Sequence, residues 1–126
     1  MSKNHTRSTP PLSVREVAGT TVVELRGEID LLAAPALAAR LGALTAGTCP
    51  DLVLDLRAVS FIDCSGLGVL CRARNRVLAG QGRLRLVAHS ARFRHVLRLA
   101  GLAGVFEIRP GLPPSLAAEV VTVTAD

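Results

Sequence analysis

"VLDLRAVSFIDCSGLGVL", residues Val53 to Leu70, holds the change of period on which the fold turns. Asp51 to Leu56 alternates polar and apolar residues over a strand's length, and "RAVSFIDCSG" carries the chain out of that strand. From about Ser65 to Ala79 the apolar residues shift to helical spacing. Leu67, Leu70, Cys71, Val77 and Leu78 fall on one face, with Arg72, Asn75, Arg76 and Ala79 on the other. Gly80-Gln81-Gly82 stops this helix. At the junction Asp63, Cys64 and Ser65 stand side by side, followed by Gly66 and Gly68. The spacing predicts that Ser65 ends the loop and Gly66 opens the helix, which places the hydroxyl at the N-cap beside unpaired backbone N–H groups. Gly66 and Gly68, without Cβ atoms, are expected to let another protein's backbone approach this turn.

Upstream, Leu12 to Val17 and Thr21 to Arg26 alternate on either side of Ala18-Gly19-Thr20, a turn of hairpin length. Leu37, Leu41 and Leu44 then recur at helical spacing, with Pro35 suited to a first turn and Gly47 following, so a helix is predicted over roughly Ala34 to Ala46. Downstream, Arg83 to Ala88 reads as a strand. Ser90 is placed to cap a helix over Ala91 to Ala100 with Phe93, Val96, Leu97 and Ala100 inward and Gly101 past its end, and Gly104 to Ile108 reads as a closing strand. The order is β β α β α β α β, which points to an α/β layer with a mixed sheet, parallel where helices cross over. Residues 1–11 are polar, end in Pro10-Pro11 and are expected to form a disordered leader; the domain is expected over 12–126. After Pro110 the tail is open between a short helix capped by Ser115 and a frayed end, since Val120 to Val123 is β-branched.

The chain has 126 residues, of which 49% are hydrophobic and 2% aromatic, so it supports one domain with an aliphatic core. Three Phe without Tyr or Trp leave few stacking platforms for single-stranded nucleic acid. No apolar run approaches the roughly 20 residues that span a bilayer, and the expected location is the cytoplasm. Cys49, Cys64 and Cys71 are odd in number and form no Cys-x-x-Cys pair, so neither a disulfide framework nor a metal site is expected, and buried free thiols are. The net charge is +5, and from Cys64 to Phe106 there is no acid at all, while Arg72, Arg74, Arg76, Arg83, Arg85, Arg92, Arg94 and Arg98 all fall there. This run predicts either a solvated surface or a positive field suited to an acidic partner, phosphate or nucleic acid.

Catalytic patterns fail on these residues. A nucleophile elbow needs glycine two positions either side of the serine, and Ser65 has Asp63 and Leu67 there. The only lysine, Lys3, is in the leader, so there is no phosphate-cradling Gly-x4-Gly-Lys loop. Pairing of Cys64 with His89 or His95 has no support in their spacing. No catalytic residue and no cofactor is expected. A phosphate on Ser65, by contrast, is expected to be held by helix N-terminal N–H groups.

The stretch that opens this section resembles the signature of the STAS domain in bacterial anti-sigma factor antagonists, in which a strand and an apolar turn lead through Asp-Ser-Ser-Gly-Leu-Gly into a helix. "VVELRGEID" is similar to that family's second strand and its Gly-Glu-Leu-Asp loop, and "SARFRHVLRLAGLAGVFEI" to its later helix, Gly-Leu turn and closing strand; together these span roughly residues 12 to 109. The resemblance implies a single α/β domain with a mixed four- to five-stranded sheet and helices packed mainly on one face. It implies that Ser65 is a phosphoacceptor, modified by a serine kinase that is itself the anti-sigma factor and supplies the ATP. The unphosphorylated antagonist binds the kinase and frees the sigma factor, phosphorylation ends binding, and a phosphatase restores it. Asp30, Asp63, Cys64, Gly66, Leu67 and Gly68 are the implied partner-binding positions. Cys64 stands where the family commonly has the first serine, and Leu31-Leu32 makes the neighbouring loop more apolar than the family pattern. Two other classes compete: a non-switching STAS scaffold or accessory subunit of a stress-signalling or lipid-transport complex, in which Ser65 is only a cap, and nucleic-acid binding through the arginine run. Direct DNA binding and membrane insertion are not expected.

Overall fold

The computed structural model describes residues 12–117, so the expected leader at 1–11 and the run Val120 to Val123 lie outside the described residues. The elements, in chain order, are β1 (Leu12–Val17), β2 (Thr20–Ile29), α1 (Ala34–Leu44), β3 (Asp51–Ile62), α2 (Cys64–Ala79), β4 (Arg83–Val87), α3 (Ala91–Leu99) and β5 (Glu107–Arg109). They form a five-stranded mixed sheet in the order β1-β2-β3-β4-β5. β1 and β2 make the antiparallel hairpin expected from their alternation, with Val14 opposite Val23, and every later pairing is parallel. The order and mixed character of the sheet agree with the expectation.

Strand alternation divides the side chains between two unlike faces. Val23, Leu25, Leu52, Leu54, Leu84 and Leu86 point to the side that α1, α2 and α3 cover, and meet Leu37, Leu41, Leu70, Val77, Phe93 and Leu97 in one aliphatic core. The other side carries a small cluster of Val22, Val53 and Val87, closed by Leu116 from a helical turn at 114–117. Charges flank it. Asp55 takes a bidentate pair from Arg57, Arg85 reaches Asp51 at 3.1 Å, and Thr20 donates to Asp51 at 2.9 Å. Glu107 accepts from both Arg83 and Arg109. The side-chain bond from Arg83 is the main cause that holds the Glu107 carboxyl down at about 2; burial opposes it, and the bond from Arg109 adds to it. Burial disfavours the Asp55 carboxylate, but the Arg57 hydrogen bonds outweigh it and its pKa is lowered.

Several boundaries differ from the sequence reading. β3 does not end at Leu56 but continues to Ile62, because Arg26 to Ile29 of β2 pair with Ala58 to Ile62 across two register shifts. α1 stops at Leu44, where the Thr45 hydroxyl donates to the Leu41 carbonyl at 2.8 Å and closes the last turn. Leu78, expected inward, is 50% exposed. α3 ends at Leu99, and β5 begins only at Glu107, since residues 101–105 turn twice through Gly101 and Gly104 in the left-handed region. The Ser90 cap is as expected, its hydroxyl accepting from Phe93 N–H at 3.3 Å. Ser115 lies inside the turn at 114–117 instead of capping it, as the Leu116 and Ala117 N–H groups donate to the Pro113 carbonyl.

Candidate functional site

The ends of β2 and β3 lie side by side, Ile29 opposite Ile62, and from each the chain enters a helix. This parallel exit brings the loop after β2 against the start of α2. Asp30 holds the turn that leads into α1: its carboxylate accepts from Leu32 and Ala33 N–H, both at 3.1 Å, and its carbonyl accepts from Ala34 N–H at 2.9 Å. Asp63 opens α2, and it, not Ser65, is the N-cap. One carboxylate oxygen accepts from Gly66 N–H at 3.1 Å, the other from Leu31 N–H at 3.2 Å, and the Asp63 N–H donates to the Ile29 carbonyl at 3.3 Å. A single carboxylate therefore fastens the Leu31-Leu32 loop to the first turn of α2.

Ser65 is thus the second helical residue, half-buried, and among the described residues its hydroxyl makes no hydrogen bond. The serine is not consumed as a cap, because the helix starts before it and the charged Asp63 caps that start through Gly66 N–H. For the same reason one donor expected to hold a phosphate, Gly66 N–H, is already occupied. Both carboxylates hold backbone, and no hydrogen bond joins either to Ser65 among the described residues, which leaves Ser65 without a built-in general base.

The two glycines differ. A Cβ on Gly66 would meet the Ile29 carbonyl oxygen at 2.5 Å and side-chain carbons of Ile62 and Ile29 at 2.7 and 2.9 Å, so its bareness lets α2 press on the ends of β2 and β3. The expectation that Gly66 opens the turn to a partner is corrected: Gly66 is buried, and Leu67, 5% exposed, belongs to the core. Gly68 faces outward over a groove between α1 and α2, lined by Leu31, Pro35, Ala38, Cys64, Ser65 and Arg72. Beside it Leu31 and Leu32 are 70% and 67% exposed, an apolar pair offered to solvent. Leu31, Pro35, Ala38 and Arg72 are additions to the site. Arg72 follows Ser65 and Gly68 at spacings of seven and four, the helical periodicity that would have marked it.

Cysteines and arginines also depart from expectation. Cys49 and Cys64 are exposed and Cys71 is half-buried, so buried thiols are not found: Cys49 sits in a loop at φ +50 and Cys64 on the first turn of α2. His89 lines a different cleft from Cys64, and no hydrogen bond joins Cys64 to His89 or His95 among the described residues. Arg83 and Arg85 of the acid-free run are paired with Glu107 and Asp51, while Arg72, Arg76, Arg92, Arg94 and Arg98 are exposed on α2 and α3. Among the described residues no three His, Cys, Asp or Glu side chains gather to hold a metal ion, and no helix is long and apolar enough to cross a membrane.

Comparison with known proteins places this geometry. The family profile described as the STAS domain matches residues 11–113. The chain is 33% identical over 98 residues to the anti-sigma-F factor antagonist RsfB of Mycobacterium tuberculosis, covering 77% of this chain and 79% of RsfB. The crystal structure of an anti-sigma factor antagonist from Mycobacterium paratuberculosis superposes with a TM-score of 0.75 at 34% identity, covering 88% of this chain and 94% of that one. The phosphorylated form of the Bacillus cell fate determinant SpoIIAA shares the fold at 23% identity with a TM-score of 0.62, covering 88% of this chain and 99% of that one. A mixed sheet of this order, an Asp-capped helix carrying Ser65 and these likenesses converge: the chain belongs to the STAS domain family, with the anti-sigma factor antagonists.

Proposed function

We infer that this chain is a phosphorylation-controlled anti-sigma factor antagonist whose switch is Ser65. In its unphosphorylated form it binds an anti-sigma factor serine kinase through the surface around Ser65, Gly68 and the Leu31-Leu32 loop, and so releases the sigma factor. The kinase transfers phosphate from its own ATP to the Ser65 hydroxyl, and a phosphoserine phosphatase reverses the mark. The observation that carries this reading is the state of Ser65: a hydroxyl with no hydrogen bond among the described residues, on the first turn of a helix and at the edge of a groove, with its cap duty taken by Asp63.

The energetics suit a switch. Phosphate adds about −1.5 to −2 charge near neutral pH. It would stand close to the Asp63 carboxylate and within an interface whose neighbouring residues, Leu31, Pro35 and Ala38, are apolar. A mispaired charge buried in an interface costs about 2 to 5 kcal/mol, which is tenfold or far more in affinity. No refolding of the antagonist is required. Asp30 and Asp63 serve by fixing the two loops, Cys64 and Gly68 by lining the contact surface, and Gly66 and Leu67 by holding α2 from beneath. Incubation with the cognate kinase and ATP is expected to add one phosphate, lost in Ser65→Ala. Equal modification of Ser65→Ala, or none of the wild type, overturns the assignment and favours the non-switching scaffold.

A further inference from the structure

A second cavity lies away from the Ser65 groove and shares no lining residue with it. It arises from unequal strand lengths. β3 pairs with β4 only from Asp51 to Asp55, and β4 ends at Val87, yet β3 continues to Ile62. Beyond Asp55 the edge of β3 that faced β4 has no strand beside it. The chain instead leaves β4 through Ala88, His89 and Ser90 and returns as α3.

The gap has a volume of about 290 Å³, with apolar walls from Leu56, Val59, Phe61, Ile62, Phe93 and Val96. Phe61 is 51% exposed, an uncommon placement for the largest kind of side chain this sequence uses. The polar part of the lining is one-sided. Arg57, His89 and Arg92 contribute, and no lining residue is acidic. Arg57 spends its charge on Asp55, at 2.8 Å, whereas Arg92, exposed on α3, has no carboxylate partner among the described residues. At roughly 30 Å³ for each water-sized group, the gap holds about ten non-hydrogen atoms. An apolar cleft with a few convergent polar groups is the usual form of a small-ligand site.

We propose that the cleft between the free end of β3 and α3 binds a small amphiphilic anion, a carboxylate on a short apolar chain, with the chain against Phe61, Phe93 and Val96 and the carboxylate at Arg92. This site is independent of the Ser65 switch.

Octanoate, with ten non-hydrogen atoms, is the probe, and octan-1-ol is its uncharged counterpart. Titration of the full-length ¹⁵N-labelled protein is expected to give saturable amide shifts confined to residues 56–62 and 88–96, with Kd below about 1 mM. Octan-1-ol and the variant Arg92→Glu are each expected to bind about tenfold more weakly, or worse. Val96→Trp fills the cavity and is expected to abolish binding; Arg92→Glu, a surface change, tests the site if the tryptophan variant does not fold. Absence of saturable shifts up to about 5 mM octanoate overturns the proposal. So do equal affinity for octan-1-ol, shifts centred on the α1–α2 groove, or changes that follow protein concentration, which would make the cleft a contact between copies.

Discussion

Gly66 and Gly68 stand two residues apart on α2, and in the sequence they look alike. In the fold they have opposite surroundings. Gly66 is pressed against the Ile29 carbonyl, whereas the nearest atom to a Cβ on Gly68 is the tip of the Arg72 guanidinium, at 3.4 Å. One absence of a side chain serves the fold, the other the surface. The difference separates what must be kept for the domain to exist from what is open to a partner, within less than one helical turn.

Substitution at Gly66 is expected to have the largest effect. Gly66→Ala forces backbone or branched side chains to move and should destabilise the domain by about 2 to 3 kcal/mol in chemical denaturation, as overpacking commonly does. A loss of less than about 0.5 kcal/mol would mean that α2 can shift away from Ile29 freely. Asp63→Ala comes next. Loss of the cap should cost about 1 to 2 kcal/mol, and amide exchange should accelerate at Leu31 as well as Gly66, since both N–H groups lose the same acceptor. Acceleration at Gly66 alone would show that the loop is held by other means.

Gly68→Ala should leave stability unchanged or raise it by up to about 1 kcal/mol, because alanine favours the helix and the arginine tip can move. Its effect should appear in binding to the kinase proposed above as partner, measured by titration, as weaker affinity at undiminished stability. If Gly68→Ala destabilises as much as Gly66→Ala, the contrast fails. The smallest effect belongs to the opposite face of the sheet. The Glu107 carboxyl is held at about 2 in the folded protein, below its ordinary value near 4.5. A lowered folded pKa gives stability that is present above the ordinary value and is lost as pH falls through the range down to about 2. Because the pair is exposed, its worth is only a few tenths of a kcal/mol. Denaturation of Glu107→Gln should therefore show slightly lower stability than wild type at pH 6 and a gap that closes toward pH 2.5.

What the sequence revealed followed from periodicity. The β1–β2 hairpin was legible because both strands alternate cleanly around Gly19, and the Ser90 cap because one good capping residue precedes a strongly amphipathic helix. The second half of β3 was not. Arg57 to Phe61 is mostly exposed, so no buried face imposes alternation, and the strand persists through pairing with β2 alone. The cap of α2 was ambiguous because Asp63 and Ser65 are both good capping residues. The choice depends on where β3 ends, a matter of pairing with a distant segment. The groove was partly legible: Ser65 and the apolar Leu31-Leu32 pair stood out, but their proximity rests on the parallel exit of β2 and β3. The two glycines look alike in the sequence and have two purposes in the fold, since the crowding of Gly66 by Ile29 is tertiary.

The Asp63 carboxylate grips the loop after β2 by a main-chain N–H, that of Leu31, and among the described residues hydrogen-bonds no side chain there. On the function proposed above, recognition through the loop and marking at Ser65 are thereby uncoupled at the level of heredity. Any residue other than proline at 31 and 32 keeps the N–H groups that hold the loop, so on the function proposed above duplicated copies of such a chain could drift toward different partners while retaining one chemistry. A second copy in the same cell would acquire a new address by changing two exposed side chains, and the first would be left unaffected.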